Sequence, residues 1–178
     1  MSSYEASGDL LSGRVILITG AGNGIGRAVA IAVARYGATA VLTGRNINSL
    51  ETTYDKVVRD TGSEAVICPL DLEHAKDSDY LELKNRIEVE FGTLDGLVNN
   101  AAGNFIAPTE RLSSNAFDTI LDIVLKGTKN CTLTFGKHWI KTKQRNTNVL
   151  NIVTTYAFTG SGYVVPSACA KAGVLAMT

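Results

Sequence analysis

The chain has 178 residues, 45% of them hydrophobic, and its 17 basic residues are balanced by 17 acidic ones. That length suits one domain with its own core, and a neutral chain without a basic stripe offers no surface for nucleic acid or an anionic membrane. The cysteines, Cys68, Cys131 and Cys169, are odd in number, widely spaced and without a CxxC pair. They fit a reducing compartment and argue against a disulfide frame or a metal site.

The N-terminal stretch MSSYEASGDLLSG has neither the basic start nor the apolar run of a secretory signal. No apolar run approaches the roughly 18 residues needed to span a bilayer. The expected location is cytoplasmic.

Strand and helix signals alternate along the chain. VILIT (15–19) is an apolar run that leads into glycines, and residues 24–36 then carry Ile25, Val29 and Val33 at helical spacing up to Gly37. TAVLT (39–43) predicts a second strand, followed by a helix from about residue 48 to 61 that Gly62 ends. AVICPL (65–70) predicts a third strand, residues 81–91 a helix closed by Gly92, and GLVN (96–99) a fourth strand. Residues 115–142 read as one long helix, and NVLNIV (148–153) as the fifth strand. Strands that are apolar throughout suit a parallel sheet covered on both faces. The expected fold is α/β: a doubly wound, Rossmann-like parallel sheet in the order 3-2-1-4-5. The chain ends at Thr178 within a helical pattern. This predicts a single but incomplete domain over 1–178, with five strands present and C-terminal strands missing.

TGAGNGIG (19–26) lies where strand one turns into the first helix. It misses GxGxxG spacing but fits TGxxxGxG through Thr19, Gly20, Gly24 and Gly26. Such glycines let pyrophosphate oxygens approach backbone N–H groups at a helix N-terminus, although glycines also serve turns that bind nothing. The residues expected to bind a cofactor here are Thr19, Gly20, Asn23, Gly24, Ile25 and Gly26. Strand two ends in Thr43, Gly44, Arg45 and Asn46, without the carboxylate that would bind a ribose 2′-hydroxyl. A guanidinium suits a 2′-phosphate, so Arg45 points to NADP(H); the alternative is a solvated arginine near a helix start. Asp71, after strand three, either contacts adenine or caps the next turn.

Residues 154–173 read TTYAFTGSGYVVPSACAKAG, with Lys171 on a helix-like run. Four residues before that lysine, where a common oxidoreductase pattern (YxxxK) has tyrosine, the chain has Ser167. A tyrosine stands instead at Tyr156. Together TGAGNGIG, the Asp71-Leu72 pair, NNAAG (99–103) and the Lys171 helix resemble the short-chain dehydrogenase/reductase family over essentially the whole chain. The resemblance implies that Asn100 supports the cofactor side of the sheet and that Asp71, Leu72 and Lys171 belong to the cofactor site. Two departures stand out: the usual tyrosine is Ser167, and the usual asparagine of the long helix is Val124.

NAAGNF (100–105), DIVLKGT (122–128) and the 154–173 stretch are similar to the 2,4-dienoyl-CoA reductases of mitochondrial type and their bacterial relatives. That likeness implies catalytic roles for Tyr156, Ser167, Lys171 and Asn104, with NADP(H) as cofactor and an acyl-CoA thioester as substrate. It further implies a homo-oligomer at full length. Residues 9–46 look more like another bacterial branch, so the chain is either a divergent member or a join of two parents. Tyr156 lies past strand five and Asn104 past strand four, at the edge where doubly wound sheets bind ligands. A phenol and a carboxamide there can form a two-donor hole for a thioester oxygen, although a lone tyrosine near a strand end often just tethers a loop. His74 and His138, far from these motifs, read as surface residues. The competing expectations are a generic alcohol or carbonyl reductase and a catalytically incomplete nucleotide-binding fragment.

Overall fold

Five strands, β1 (Val15–Thr19), β2 (Thr39–Thr43), β3 (Ala65–Ile67), β4 (Gly96–Asn99) and β5 (Asn148–Asn151), pair in parallel. Their order is β3-β2-β1-β4-β5, as expected from the sequence. The computed structural model describes residues 6–178; the reading of the N-terminal stretch rests partly on residues 1–5, which lie outside the described residues. The central pairing sets Val15 beside Thr39 and Leu17 beside Leu97, so β1 is flanked along its length.

Alternate residues of the central strands feed opposite layers, because successive side chains of a strand point to opposite faces. Val15, Leu17, Val41 and Leu97 pack under α3 (Asp77–Phe91) and α5 (Gly127–Thr142), against Tyr80, Ile87, Cys131 and Phe135. Ile16, Ile18, Ala40, Leu42 and Val98 pack under α1 (Gly24–Arg35) and α2 (Ile47–Thr61), against Ala30, Ala34, Leu50 and Val57. Each fully buried leucine or isoleucine here contributes about 1.5–3 kcal/mol of apolar burial. A third cluster joins α4 (Ser114–Leu121) to α7 (Val165–Met177) through Ile120, Val124, Ala170 and Val174. A short α6 (Tyr156–Thr159) precedes α7. Among the described residues no helix is long and apolar enough to cross a membrane.

Local chemistry explains where the elements depart from expectation. The third strand stops at Ile67, short of the expected Leu70, because Pro69 has no N–H to give to a ladder. Helix α3 starts at Asp77 rather than residue 81: its first turn carries Asp77 and Asp79, and Asp79 Oδ2 accepts Lys76 N at 2.8 Å. Acids suit the positive end of a helix. The expected single helix over 115–142 is α4 and α5 joined by a π-helical stretch, Asp122–Lys126. One wide turn slips the helix register, and such turns are often found near functional sites. Here it buries Val124 completely, while Ile123 lines the main cavity. Strand β5 lies at the sheet edge, as the expected order requires, but ends at Asn151, short of the expected residue 153, and its Leu150 is 51% exposed.

Gly136 sits inside α5 with nothing within 4 Å of where a Cβ would stand. Gly136→Ala is therefore expected to raise stability by about 0.5–1 kcal/mol, through the narrower unfolded ensemble and the better helix propensity of alanine. Denaturant unfolding checks this: an unchanged or lowered midpoint contradicts it.

Candidate active site

The C-terminal ends of β1, β2, β4 and β5 open into one cavity of about 680 Å³. Its lining runs from Arg45 and Asn46 at one end, past Gly20 and residues 22–25, to Asn104, Tyr156, Ser167 and Lys171 at the other. The β1–α1 turn forms its floor. Gly20 has φ +66°, and a Cβ there would fall 2.8 Å from Ala101 Cα; Gly24 has φ +49°. Both positions favour glycine. The N-terminus of α1 has no acidic residue in its first turn, and Asn23 makes no side-chain cap. Its N–H groups are thus left for an anion.

Asn100 pins this turn to β4. Its Nδ2 donates to the carbonyls of Thr19 at 2.9 Å and Gly20 at 3.2 Å, and its backbone N donates to Thr19 Oγ1 at 3.0 Å. Two of the residues expected to bind the cofactor, Thr19 and Gly26, lie behind the turn. Thr19 is buried, with its hydroxyl accepting from Asn100 and Ala101 N–H. Gly26 is buried against the Gly20 carbonyl. Both shape the turn but do not line the cavity.

At one end, Arg45 lines the cavity, and its Nη1 lies 3.3 Å from Glu73 Oε2. Asn46 caps α2 by accepting Ser49 N at 2.9 Å. Asp71 lines the cavity, yet its carboxylate turns to its own loop: Oδ1 accepts Glu73 N, and Oδ2 lies 3.1 Å from His74 Nδ1. Of the two readings of Asp71, the cap is the one its carboxylate makes. Leu72 lines the cavity wall and packs where Gly127 leaves room. The Asp71 contact, then the Glu73 charge, raise the His74 pKa. His74 is exposed as expected, whereas His138 is half-buried with Nε2 2.8 Å from Glu88 Oε1.

At the other end, Ser167 and Lys171 are one turn apart on α7 and share a face, 1% and 3% exposed. Pro166 suits the first turn of this helix. Tyr156 Oη and Ser167 Oγ are 3.0 Å apart, so the phenol and the hydroxyl form one hydrogen-bonded unit. Tyr156 stands at the start of α6. Lys171 Nζ donates to the Ile152 carbonyl, and burial pushes its pKa below 10.5. Asn104 lines the cavity mouth and is exposed. Thr154 Oγ1 is buried beside this group, and Thr43 Oγ1 at the far end, neither with a partner among the described residues. Those orphaned hydroxyls, the uncapped α1 terminus and the glycine turn fit an elongated, phosphate-bearing dinucleotide.

The depressed Lys171 pKa has a consequence for stability. The folded chain gives up this proton before the unfolded chain does, so stability rises with pH as 10.5 is approached from below. Lys171→Met should remove that rise, with thermal melts across alkaline pH as the check. Parallel pH profiles for both proteins would contradict it.

Fold and site together define a dinucleotide-binding domain of the doubly wound type. The model for short chain dehydrogenases matches residues 14–178, and the chain belongs to that family. It is 44% identical over 170 residues to a Caenorhabditis elegans protein named "Probable 2,4-dienoyl-CoA reductase 3 [(3E)-enoyl-CoA-producing]", covering 94% of this chain and 54% of that one. A Bacillus subtilis protein, "Probable 2,4-dienoyl-CoA reductase [(2E)-enoyl-CoA-producing]", is 39% identical, with 93% and 63% covered. A short-chain dehydrogenase of Shigella flexneri, solved in complex with NADP, superposes with a TM-score of 0.90 at 28% identity, covering 96% of this chain and 71% of that one. The chain thus spans about half the length of the first of these relatives, and the names of the two relatives differ in the double bond of the product.

Proposed function

We propose that this chain is the nucleotide-binding and catalytic part of an NADPH-dependent reductase of 2,4-dienoyl-CoA thioesters. The observation that carries the reading is the 3.0 Å contact between Tyr156 Oη and Ser167 Oγ, in a cavity that Asn104 and Lys171 also line. Ser167 occupies the usual place of tyrosine, so the phenol is supplied from α6 instead. Relatives bearing the dienoyl-CoA reductase name support the substrate class. The dinucleotide would lie along the β1–α1 turn, with Arg45 at its 2′-phosphate and Lys171 at the nicotinamide ribose.

When bound, NADPH supplies the hydride. Reduction of the conjugated thioester drives negative charge onto the thioester oxygen, and donors aimed there lower the barrier. Tyr156 and Asn104 would be those donors. A Ser167 hydroxyl that donates to the phenol oxygen leaves the Tyr156 proton free to point at the thioester. The buried Lys171 ammonium adds positive charge where the dienolate forms. The dienolate is finally protonated on carbon, so no acid is needed at the usual tyrosine position. The decisive assay follows consumption of reduced nicotinamide in the protein carrying this sequence, with a dienoyl-CoA beside a simple ketone. Faster turnover of the ketone would overturn the reading.

Arg45→Ala should weaken NADPH binding by about 1–2 kcal/mol, the lower part of the range for a charged hydrogen bond because this side chain is 66% exposed and screened. NADH binding should hardly change. Equal losses for both cofactors in titration calorimetry would show that Arg45 does not read the phosphate.

A further inference from the structure

Glu73 lies in the turn after β3, behind the cavity-lining Arg45, and is held there from two directions. Its Oε1 accepts the Thr119 hydroxyl of α4 at 3.1 Å, and its backbone N donates to Asp71 Oδ1 at 3.1 Å. Its Oε2 stands 3.3 Å from Arg45 Nη1. The side chains differ sharply in freedom: Glu73 is 18% exposed, whereas Arg45 is 66% exposed. The carboxylate is therefore the fixed partner and the guanidinium the movable one. Arg45 comes from the loop after β2, where a doubly wound sheet meets the adenosine ribose.

We propose that Glu73 competes with the 2′-phosphate of the cofactor for the Arg45 guanidinium, and so sets how strongly the chain prefers NADPH over NADH. This rests on the reading of Arg45 given above. A phosphate arriving at Arg45 must either draw the guanidinium away from Glu73 or share it with a fixed carboxylate a few ångströms off. The first route gives up an ion pair. The second leaves two anions close together in a partly screened setting. NADH has only a hydroxyl at that carbon and meets neither penalty. Glu73 thus acts on cofactor choice through Arg45, as a positioning residue on the chain's own side of the site.

An ion pair with one largely exposed partner is weak, so the expected effect is moderate, about two- to five-fold in affinity. The test is titration calorimetry of NADPH and NADH against the wild-type protein, Glu73→Gln, Arg45→Ala and the double variant. Glutamine keeps the size of the side chain and an acceptor for Thr119, so the loop geometry is retained. Glu73→Gln should tighten NADPH two- to five-fold, leave NADH unchanged, and lose this effect in the Arg45→Ala background. The gain should also shrink as salt is raised. If Arg45→Ala loses its NADPH preference while Glu73→Gln leaves the ratio of affinities unchanged or lowers it, the competition is overturned and the Arg45 reading survives. Tightening of equal size with and without Arg45 would mean simple repulsion between Glu73 and the phosphate, which also overturns the competition. Should Arg45→Ala leave both affinities intact, the Arg45 reading falls and this inference falls with it.

Discussion

Tyr156→Phe is expected to lower turnover of a dienoyl-CoA by about 100-fold or more while NADPH affinity holds. The substitution removes one oxygen and little else. Tyr156 Oη bonds Ser167 Oγ at 3.0 Å, and the aromatic body stays where α6 places it. The phenol donor matters most when charge is on the thioester oxygen, so its loss falls on the rate and not on cofactor binding. Asn104→Ala should move in the same direction, because it would remove the second donor. Ser167→Tyr in the Tyr156→Phe background should not restore activity: Ser167 is 1% exposed, and a phenol there must push into packed neighbours. Steady-state kinetics with a parallel NADPH titration decide the matter. Full activity in Tyr156→Phe would sink the assignment, and a rate loss matched by equal loss of NADPH affinity would point to a damaged cofactor site instead.

The second large effect is expected at Gly26. A Cβ there would stand 2.2 Å from the Gly20 carbonyl oxygen and 2.6 Å from Asn100 Nδ2. Neither neighbour can step aside easily. Gly20 is held at φ +66° in the turn, and the Asn100 amide is bonded to the carbonyls of Thr19 and Gly20. Gly26→Ala must open the turn or shift α1 away from β1. The expected cost is about 2–4 kcal/mol, the scale of overpacking a tight backbone contact. NADPH affinity should fall with it, since the α1 N–H groups move as a unit. Thermal unfolding without cofactor, followed by NADPH titration, checks both parts. A melting temperature within a degree or so of wild type would show that the close approach of Gly26 to Gly20 is not needed. Gly62, with φ +71° and open space around it, serves as a comparison: alanine there meets backbone strain alone and should cost about 1 kcal/mol.

What the sequence determined by itself about this protein was the layout. Apolar runs of four or five residues at β1, β2 and β4, punctuated by glycines, lie almost where they were expected, and the strand order follows from the fold class. These features are local: a period, a cap or a stop can be read within a dozen residues. Lys171 and Ser167 were legible as one face of a helix for the same reason. The π-helical stretch at Asp122–Lys126 was not legible, because one wide turn leaves the apolar spacing of a long helix almost undisturbed. Pairings between distant residues were decided only by the tertiary structure. Tyr156 meets Ser167 across 11 positions, Arg45 meets Glu73 across 28, and Asn100 grips the Thr19 turn across 81. Each such bond depends on where two loops are carried by the sheet beneath them. The same dependence turned the Asp71 carboxylate into its own loop and set Thr19 and Gly26 behind the cavity floor. Residue type names the chemistry a side chain can do, but its direction is set by the backbone around it, and that backbone is fixed by contacts from the rest of the chain.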